Sequence, residues 1–341
     1  MAASNRITRF VRRCFHTSLM TRKIPVPSKF NEPLSALQAP RPGGIATMMR
    51  LPVQETTEGL DVCFVGVPLD AGTTNRSGTR MGPRQIRTES VQIRRFNNAT
   101  KASPFESLMV ADVGDVAFNM FNLPEAVKQI KERASELIKN GCKPLVMGGD
   151  HTISYPLLQA MKEKYGKVGL VHVDAHTDLY GEMLGAKIHH GNPFLLAVEE
   201  GLIDCNRVAQ IGLRGSGYED DYALPRKLGF KVVPATECWG KHMEPLMEEV
   251  RQLIGDGPVY ISFDIDAIDP GYCPGTGTPE ICGLTTIQAV QIIRGLRGLN
   301  IIGGDLVEVS PPYDRNGTTA LTAANLLFEM LCVLPGVKYH A

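Results

Sequence analysis

The chain has 341 residues, of which 43% are hydrophobic, with 36 basic residues balanced by 36 acidic ones. This zero formal net charge argues against a nucleic-acid-binding protein that relies on bulk charge, and no apolar run approaches the roughly 18–20 residues that a membrane span requires. The eight cysteines include no C-x-x-C pair, which argues against a thiolate zinc site and a dense disulfide framework. The composition predicts a soluble globular protein with a sizeable core.

The N-terminal segment carries basic residues but no acid before Glu32. An apolar stripe at helical spacing runs through Ile7, Phe10, Val11, Cys14 and Phe15. Arginines flanking such a stripe predict a mitochondrial transit peptide and a matrix location, with a disordered basic tail or a surface helix as the alternative. Prolines between residues 24 and 44 predict an extended linker. We therefore divide the chain into a leader and linker, residues 1–35, and one folded domain, residues 36–341.

From about residue 50, short apolar runs alternate with helical patterns. The predicted strands are Val62–Val67, Leu108–Val113, Pro144–Met147, Gly169–Val173, Val208–Leu213, Lys231–Val233, Val259–Ile265 and Ile301–Leu306. Several of these runs are almost wholly apolar, which is typical of strands buried on both faces of a parallel sheet. The predicted helices are Pro124–Lys139, Tyr155–Tyr165, Lys241–Ile254, Thr285–Leu296 and Thr318–Leu334. This alternation predicts an α/β domain with a mostly parallel sheet.

Three polar clusters lie where predicted strands end. They are Gly148-Gly149-Asp150-His151, Asp174-Ala175-His176-Thr177-Asp178 and Asp264-Ile265-Asp266. Ligands of open parallel sheets bind at the carboxyl ends of the strands, where loops converge. Burying this many carboxylates together is prohibitively costly unless cations neutralise them. Carboxylate and imidazole ligands without thiolates suit Mn²⁺, so the sequence predicts a pair of divalent cations at this edge of the sheet.

The segments G-G-D-H, D-A-H-x-D and S-x-D-x-D-x-x-D-P occur together, in this order, in the ureohydrolase (arginase/agmatinase) family, and the chain resembles that family over roughly residues 50–335. The segment from Thr74 to Pro83 and the basic leader resemble the agmatinase branch and its mitochondrial relatives. The resemblance implies a three-layer α/β/α fold with about eight strands in the sheet. It also implies that residues 36–341 are a catalytic domain and that the protein is a homo-oligomer, a trimer or a hexamer.

The resemblance further implies two Mn²⁺ ions per subunit. Six side chains would hold them: His151, Asp174, His176, Asp178, Asp264 and Asp266. Asp174 and Asp264 would bridge the two ions. A metal-bridging hydroxide would then hydrolyse the guanidinium group of a linear substrate to urea and an amine.

Three residues would carry the catalytic steps that the resemblance implies. Asp178 would hydrogen-bond the hydroxide and pass its proton to the leaving amine. His190 would shuttle protons, a role suited to a group that titrates near neutrality, although His189 stands beside it. Glu308 would clamp the guanidinium, because a carboxylate pairs with that group through two parallel hydrogen bonds.

The far end of the substrate distinguishes the two substrate classes under consideration. A guanidino acid ends in a carboxylate, for which Arg76, Arg80 and Arg214 are candidate partners, whereas agmatine ends in an ammonium ion, which suits Glu219, Asp220 and Asp221. The substrate-binding candidates are Glu308, Asn192, Arg76 and Arg80. The resemblance to the mitochondrial branch favours guanidino acids such as 4-guanidinobutyrate or 3-guanidinopropionate, with agmatine as the alternative.

Two other classes compete with this interpretation. A zinc deacetylase on a related fold would lack the complete two-metal ligand set. A non-catalytic paralogue would keep the fold without turnover, yet every residue that the family uses for chemistry is present. We expect a small guanidino molecule as the partner, and neither nucleic acid nor a membrane.

Overall fold

The computed structural model describes residues 29–217 and 219–341, and a parallel eight-stranded sheet lies at its centre. The strands in chain order are β1 (Val62–Val67), β2 (Ala102–Ser103), β3 (Val110–Asp115), β4 (Lys143–Gly148), β5 (Val168–Val173), β6 (Ile203–Leu213), β7 (Lys231–Pro234), β8 (Val259–Asp264), β9 (Ile301–Val307) and β10 (Lys338–Tyr339). The sheet has the order β3-β1-β4-β9-β8-β5-β6-β7, and every neighbouring pair in it is parallel. Strands β2 and β10 form a separate antiparallel ribbon.

Helices cover both faces of this sheet. In chain order they are α1 (Gly82–Glu89), α2 (Leu123–Ile138), α3 (Ser154–Tyr165), α4 (Pro193–Glu199), α5 (Ala223–Leu228), α6 (Ala235–Cys238), α7 (Glu244–Ile254), α8 (Thr286–Gly295) and α9 (Thr318–Val333). Helices α2, α3 and α4 share one buried cluster with Val65, Val146 and Leu170. Helices α1, α7, α8 and α9 share the other with Phe64, Leu145 and Val171. Because neighbouring strand residues point to opposite faces, these two clusters define three layers.

The predicted α/β architecture is confirmed, with small differences at the ends of elements. The strand predicted as Val259–Ile265 ends at Asp264, because the Asp264 carboxylate accepts the N–H of Asp266 at 2.8 Å and starts a 3₁₀ turn. The strand predicted as Val208–Leu213 begins at Ile203, and the helix predicted from Lys241 begins at Glu244. Helices α1, α4, α5 and α6 were not predicted, since none exceeds eight residues and periodicity needs a longer window.

The described part of the predicted linker packs against the folded body. The Asn31 side chain donates to the carbonyl of Val110 at 3.0 Å, and the Leu34 amide donates to the carbonyl of Arg50 at 3.3 Å. Asn31 and Leu34 belong to residues 1–35, which we predicted as leader and linker, so the described end of that segment contacts the folded domain. The predicted transit-peptide helix falls on residues 1–28 and lies outside the described residues.

The strand order places a crevice at the carboxyl ends of the central strands. From β4 the chain passes the positions of β9 and β8 to reach β5, whereas from β8 it runs in the opposite direction to β9, so connections of opposite direction meet at these central strands. Ligand sites of open parallel sheets form at such switch points. Among the described helices, none is long and apolar enough to cross a membrane.

Candidate active site

Four adjacent strands deliver the predicted site residues to this crevice. His151 follows β4, Asp174 follows β5, Asp264 closes β8 and Glu308 follows β9. All four side chains are buried. The polar clusters that are separated in the sequence therefore meet at one edge of the sheet, as predicted.

Three carboxylates surround the imidazole of His151. Its Nδ1 lies 2.9 Å from an oxygen of Asp178 and 3.2 Å from oxygens of Asp174 and Asp264. This nitrogen has no hydrogen-bond partner within the described residues, although it is buried. A buried imidazole nitrogen that faces three carboxylate oxygens forms a donor set for a cation.

A second group lies on the open side of the first. Nδ1 of His176 is 3.2 Å from an oxygen of Asp266 and 3.4 Å from Oδ1 of Asp174. Asp174 presents its other oxygen, Oδ2, to His151, so this carboxylate faces both groups. His176 is partly exposed, whereas Asp174 and Asp266 are buried. The second group therefore borders the entrance of the crevice.

The pKa values at the centre reflect the crowding of like charges. Burial, followed by repulsion from Asp266 and Asp174, raises the pKa of Asp264 well above its ordinary value. Burial also acts to raise the pKa of Asp174, but His172, His151 and His176 outweigh it and hold that pKa well below the usual range. Four carboxylates that share this buried volume call for added positive charge. The residues present thus fit two divalent cations, in agreement with the orphaned nitrogen of His151.

Sequence reasoning missed His172, which lies on β5 two residues before Asp174. Gln210 donates its amide to Nδ1 of His172 at 2.9 Å and to the carbonyl of Thr177 at 2.8 Å. Because Nδ1 accepts, Nε2 carries the proton and donates to Asp174 at 2.7 Å. His172 thereby orients Asp174 and has no lone pair left for a metal. The signal available in the sequence was the alternation of residues 172, 174 and 176, which puts a histidine on the same face of an apolar strand.

Two site residues have a left-handed backbone. Asp178 has φ 53° and Glu308 has φ 64°, a region that residues other than glycine rarely occupy. Each such residue costs roughly 1–3 kcal/mol, so the surrounding structure must hold it there. Strain of this kind is typical of functional sites, and here it aims both carboxylates into the crevice.

Glu308 and His190 contact each other directly. Oε1 of Glu308 accepts the backbone N–H of His151 at 2.9 Å and lies 2.8 Å from Nδ1 of His190. Burial opposes a charge on His190, yet Glu308, Asp150 and Asp178 outweigh it and raise its pKa to about 9. The neighbouring His189 points elsewhere, with Nε2 at 2.7 Å from the carbonyl of Gly181. Of the two histidines, His190 is the one at the site.

The second oxygen of Glu308 lies close to Gly277. Oε2 is buried and has no hydrogen-bond partner within the described residues. A Cβ placed on Gly277 would stand 3.3 Å from it and 3.1 Å from the carbonyl oxygen of Arg76. The hydroxyls of Thr73 and Thr276 are also buried without a partner. Unpaired buried acceptors are costly in a folded protein, so this spot is suited to a polar ligand.

The two arginines of the first loop have different surroundings. Arg80 forms an ion pair with the buried carboxylate of Asp70, which also accepts the N–H of Gly78 at 3.0 Å. The Arg76 guanidinium stacks on the ring of Tyr313 at 4.9 Å, and no ion pair joins it to an acid of the described residues. Arg76 is exposed. Of these two arginines, only Arg76 has its charge available to a ligand.

Arg214 is not available to bind a carboxylate. Its guanidinium donates to five backbone carbonyls, at distances of 2.7 to 3.2 Å: those of Ile281, Gly212, Ala267, Asp266 and Glu280. An arginine has five N–H donors, so all of them are engaged. Arg214 ties the turn that carries Asp266 to the loop that follows it.

Two further predicted residues, Asn192 and Asp221, contact the segment of Tyr180 and Gly181 at the outer end of the crevice. The Asn192 side chain accepts from the N–H of Gly181 at 2.9 Å and donates to the carbonyl of Lys187 at 2.8 Å, so it braces the loop that carries His190. On that side the Tyr180 hydroxyl donates to Asp221 at 3.3 Å. Asp178 and His176 are close enough to affect the pKa of Tyr180. A carboxylate, that of Asp221, therefore lies beside Tyr180, and a cation, that of Arg76, stacks on Tyr313.

Comparison with known proteins agrees with this geometry. The sequence profile of the arginase family matches residues 60–332. The chain is 62% identical to a mitochondrial agmatinase of Gallus gallus, over 91% of this chain and 92% of the relative. It is 63% identical to a guanidinobutyrase of Pseudomonas aeruginosa (90% and 98%) and 60% identical to a mitochondrial guanidino acid hydrolase of Homo sapiens (90% and 88%). A crystal structure of a hypothetical agmatinase from Burkholderia thailandensis aligns with a TM-score of 0.80 at 39% identity, over 86% of this chain and 91% of that one.

Proposed function

The chain belongs to the arginase family, and we propose that it is a manganese-dependent hydrolase that converts linear guanidino acids to urea and the corresponding amine. One observation carries this proposal. Oε2 of Glu308 is buried without a hydrogen-bond partner in the described residues, and Oε1 of the same carboxylate accepts the backbone N–H of His151, so Glu308 is placed to hold a guanidinium group beside the buried His/Asp clusters. Relatives more than half identical carry the names guanidinobutyrase and guanidino acid hydrolase.

Six side chains would hold two Mn²⁺ ions. His151 and Asp178 would hold one ion, His176 and Asp266 would hold the other, and Asp174 and Asp264 would contribute to both. The two oxygens of Asp174 face the two groups, which supports a bridging role. Carboxylate and imidazole ligands favour Mn²⁺ over thiophilic metals. When bound, the pair of ions supplies Lewis acidity that lowers the pKa of water towards about 7.

Glu308 would bind and orient the guanidinium. Its Oε1 is held by His151 and His190, which leaves Oε2 as the acceptor for the substrate. A carboxylate–guanidinium pair is planar and directional, and it fixes the face of the guanidinium carbon that water attacks. Addition of water to this carbon and cleavage of its bond to the alkylated nitrogen give urea and a free amine.

Two residues would move protons during this reaction. Asp178 is one of the six proposed ligands, with a carboxylate oxygen 2.9 Å from His151, and it would hydrogen-bond the attacking water and take up its proton. The leaving nitrogen needs a proton to depart as an amine. Asp178 would pass on the proton that it has taken up, and His190, whose pKa is raised to about 9 by Glu308, Asp150 and Asp178, would shuttle protons in this step.

Arg76 would recognise the far end of the substrate. Its backbone carbonyl lies beside Gly277, which in turn adjoins Glu308, and its guanidinium is free of ion pairs to described acids. A carboxylate at the end of a short alkyl chain would pair with this guanidinium at the mouth. Arg80 would support the same loop through its ion pair with Asp70, and Asn192 would support the opposite loop.

Agmatine is the second candidate substrate. Asp221, held by Tyr180 on the other side of the mouth, would attract the ammonium ion of agmatine. The relative from Gallus gallus is named an agmatinase. The two candidate substrates therefore call for opposite charges at their far ends, Arg76 for a carboxylate and Asp221 for an ammonium ion.

We propose that the protein is located in the mitochondrial matrix. The acid-free basic segment before Glu32 and the mitochondrial names of two relatives support a matrix location. We further propose a homo-oligomer, a trimer or a hexamer, on the strength of the family membership.

The deciding experiment compares substrates on the manganese-loaded protein. Urea release is measured side by side from 4-guanidinobutyrate, 3-guanidinopropionate, agmatine and arginine. We expect the guanidino acids to be hydrolysed with the higher kcat/KM. Faster release from agmatine would transfer the function to the second candidate, and no urea from any substrate, with two ions bound, would overturn the hydrolase.

A further inference from the structure

A buried network of hydroxyl groups surrounds Asp305, behind the buried His/Asp cluster that contains His151. Asp305 lies on β9 and has no exposed surface. Its Oδ2 accepts the hydroxyls of Ser154 at 2.8 Å and Tyr260 at 2.9 Å, and its Oδ1 accepts the hydroxyl of Ser262 at 2.7 Å. None of the described basic side chains forms an ion pair with it. Burying a carboxylate with only hydroxyl groups as hydrogen-bond donors carries a desolvation cost, and an apolar residue would pack there at lower cost. Asp305 therefore points to a role other than packing.

The network ends at His151. Where β8 pairs with β9, Ser262 lies opposite Asp305. Where β4 pairs with β9, Val146 lies opposite Asp305. His151 follows β4 on the other side and brings its Nε2 to 2.8 Å from the hydroxyl oxygen of Ser262. A continuous hydrogen-bonded chain therefore crosses three adjacent strands, from Asp305 through Ser262 to His151.

The direction of these hydrogen bonds fixes the tautomer of His151. Asp305 is the acceptor for three hydroxyls, so Ser262 gives its proton to Asp305 and can only accept from His151. The proton of the neutral imidazole then stays on Nε2. The lone pair of Nδ1 is left free, and this is the atom that faces Asp174, Asp178 and Asp264.

We propose that Asp305 and Ser262 are positioning residues that hold His151 in the orientation and tautomer required to bind one of the two metal ions. This inference rests on the proposed function for the presence of the ions. A carboxylate that acts through a hydroxyl on a ligating histidine raises the basicity of that ligand and fixes its ring. Removing such a partner typically weakens metal affinity about 10- to 100-fold.

The test measures Mn²⁺ binding to the full chain rather than turnover. Manganese is titrated into metal-free protein, and free Mn²⁺ is followed by electron paramagnetic resonance to give two dissociation constants. We expect Ser262→Ala and Asp305→Asn to weaken one site about 10- to 100-fold and to leave the other within about twofold. Tyr260→Phe is the matched control, because it removes a hydroxyl from Oδ2 of Asp305 and keeps the link to Ser262.

The outcomes separate this inference from the proposed function. Wild-type affinity for both ions in Ser262→Ala and Asp305→Asn would overturn the positioning role. An equal loss in Tyr260→Phe would also overturn it, because it would assign the effect to packing. Thermal unfolding of the metal-free variants checks their folding, and Asp305→Asn, which keeps the side-chain volume, carries the test if Ser262→Ala does not fold. Two ions bound to a wild-type protein that releases no urea would overturn the proposed function and leave the positioning role intact.

Discussion

The inner and outer ends of the crevice differ in burial and in the way their charges are held. At the inner end, His151, Asp174 and Asp264 are buried and face one another within hydrogen-bond distances. At the outer end, Arg76 is exposed and stacks on Tyr313, and the partly exposed Asp221 accepts a single long hydrogen bond from Tyr180. Electrostatic interactions are strong in a water-free interior and weak at a solvated surface. We therefore expect the inner end to determine the chemistry and the outer end to set a graded preference among substrates.

The largest effect is expected from a change at the inner end. Asp174→Asn removes one charge from a buried carboxylate whose two oxygens face both histidine groups. The two ions supply several kcal/mol of transition-state stabilisation, so we expect a loss on the order of 10³-fold or more in kcat. Bound manganese, measured by atomic absorption after dialysis, should fall below two ions per chain. Retained turnover with two bound ions would contradict the bridging role.

A smaller effect is expected from His190→Asn, together with a changed pH profile. Proton transfer by a positioned side chain contributes roughly 10²- to 10⁴-fold, and we expect a loss at the lower end of this range. In the wild type, His190 loses its proton as the pH rises through its pKa of about 9, so kcat should fall above that pH. The variant should lack this alkaline limb and keep its metal content.

His189→Asn is the matched control for this profile. It removes the adjacent histidine, which contacts the carbonyl of Gly181 and does not reach Glu308. The control should keep the alkaline limb of the wild type. The same limb in His190→Asn would assign that titration to another group and remove His190 from the proton-transfer step.

At the outer end, Arg76→Gln should change the preference among substrates more than the rate of the chemical step. A hydrogen bond to a charged group is worth about 1.5–3 kcal/mol, so kcat/KM for 4-guanidinobutyrate should fall roughly 10- to 100-fold. The value for agmatine, which has no carboxylate, should stay the same or rise. Arg84→Gln, an exposed arginine on α1, is the matched control and should change neither. An equal loss for both substrates would show that Arg76 supports the loop and does not read the carboxylate.

The sequence predicted the fold and the inner end better than the outer end, for physical reasons. Strands buried on both faces are apolar runs that can be recognised locally, and the motifs at their ends contain the residues predicted to bind the metal ions. Sequence reasoning missed His172 and Asp305, because a single polar residue in an apolar strand resembles an ordinary core position. It also counted Arg214 among the partners of a substrate carboxylate, although all five of its donors are bound to backbone carbonyls. Those carbonyls come from several loops and meet only in the folded chain.

The smallest effect is expected from Asp221→Asn, on the other side of the mouth. Asp221 is partly exposed and its hydrogen bond from Tyr180 is 3.3 Å long, so its charge is screened by water and salt. An exposed charge pair is worth about 0.2–1 kcal/mol, which corresponds to a decrease of a few-fold at most in kcat/KM for agmatine. The value for 4-guanidinobutyrate should rise slightly, because a negative charge near the carboxylate is removed. Both changes should shrink as salt is raised from about 0.05 to about 0.5 M, since added salt shortens the Debye length and screens exposed charges. A change in agmatine hydrolysis larger than tenfold would instead place Asp221 in direct contact with the ammonium ion, and the mouth would then be built for agmatine.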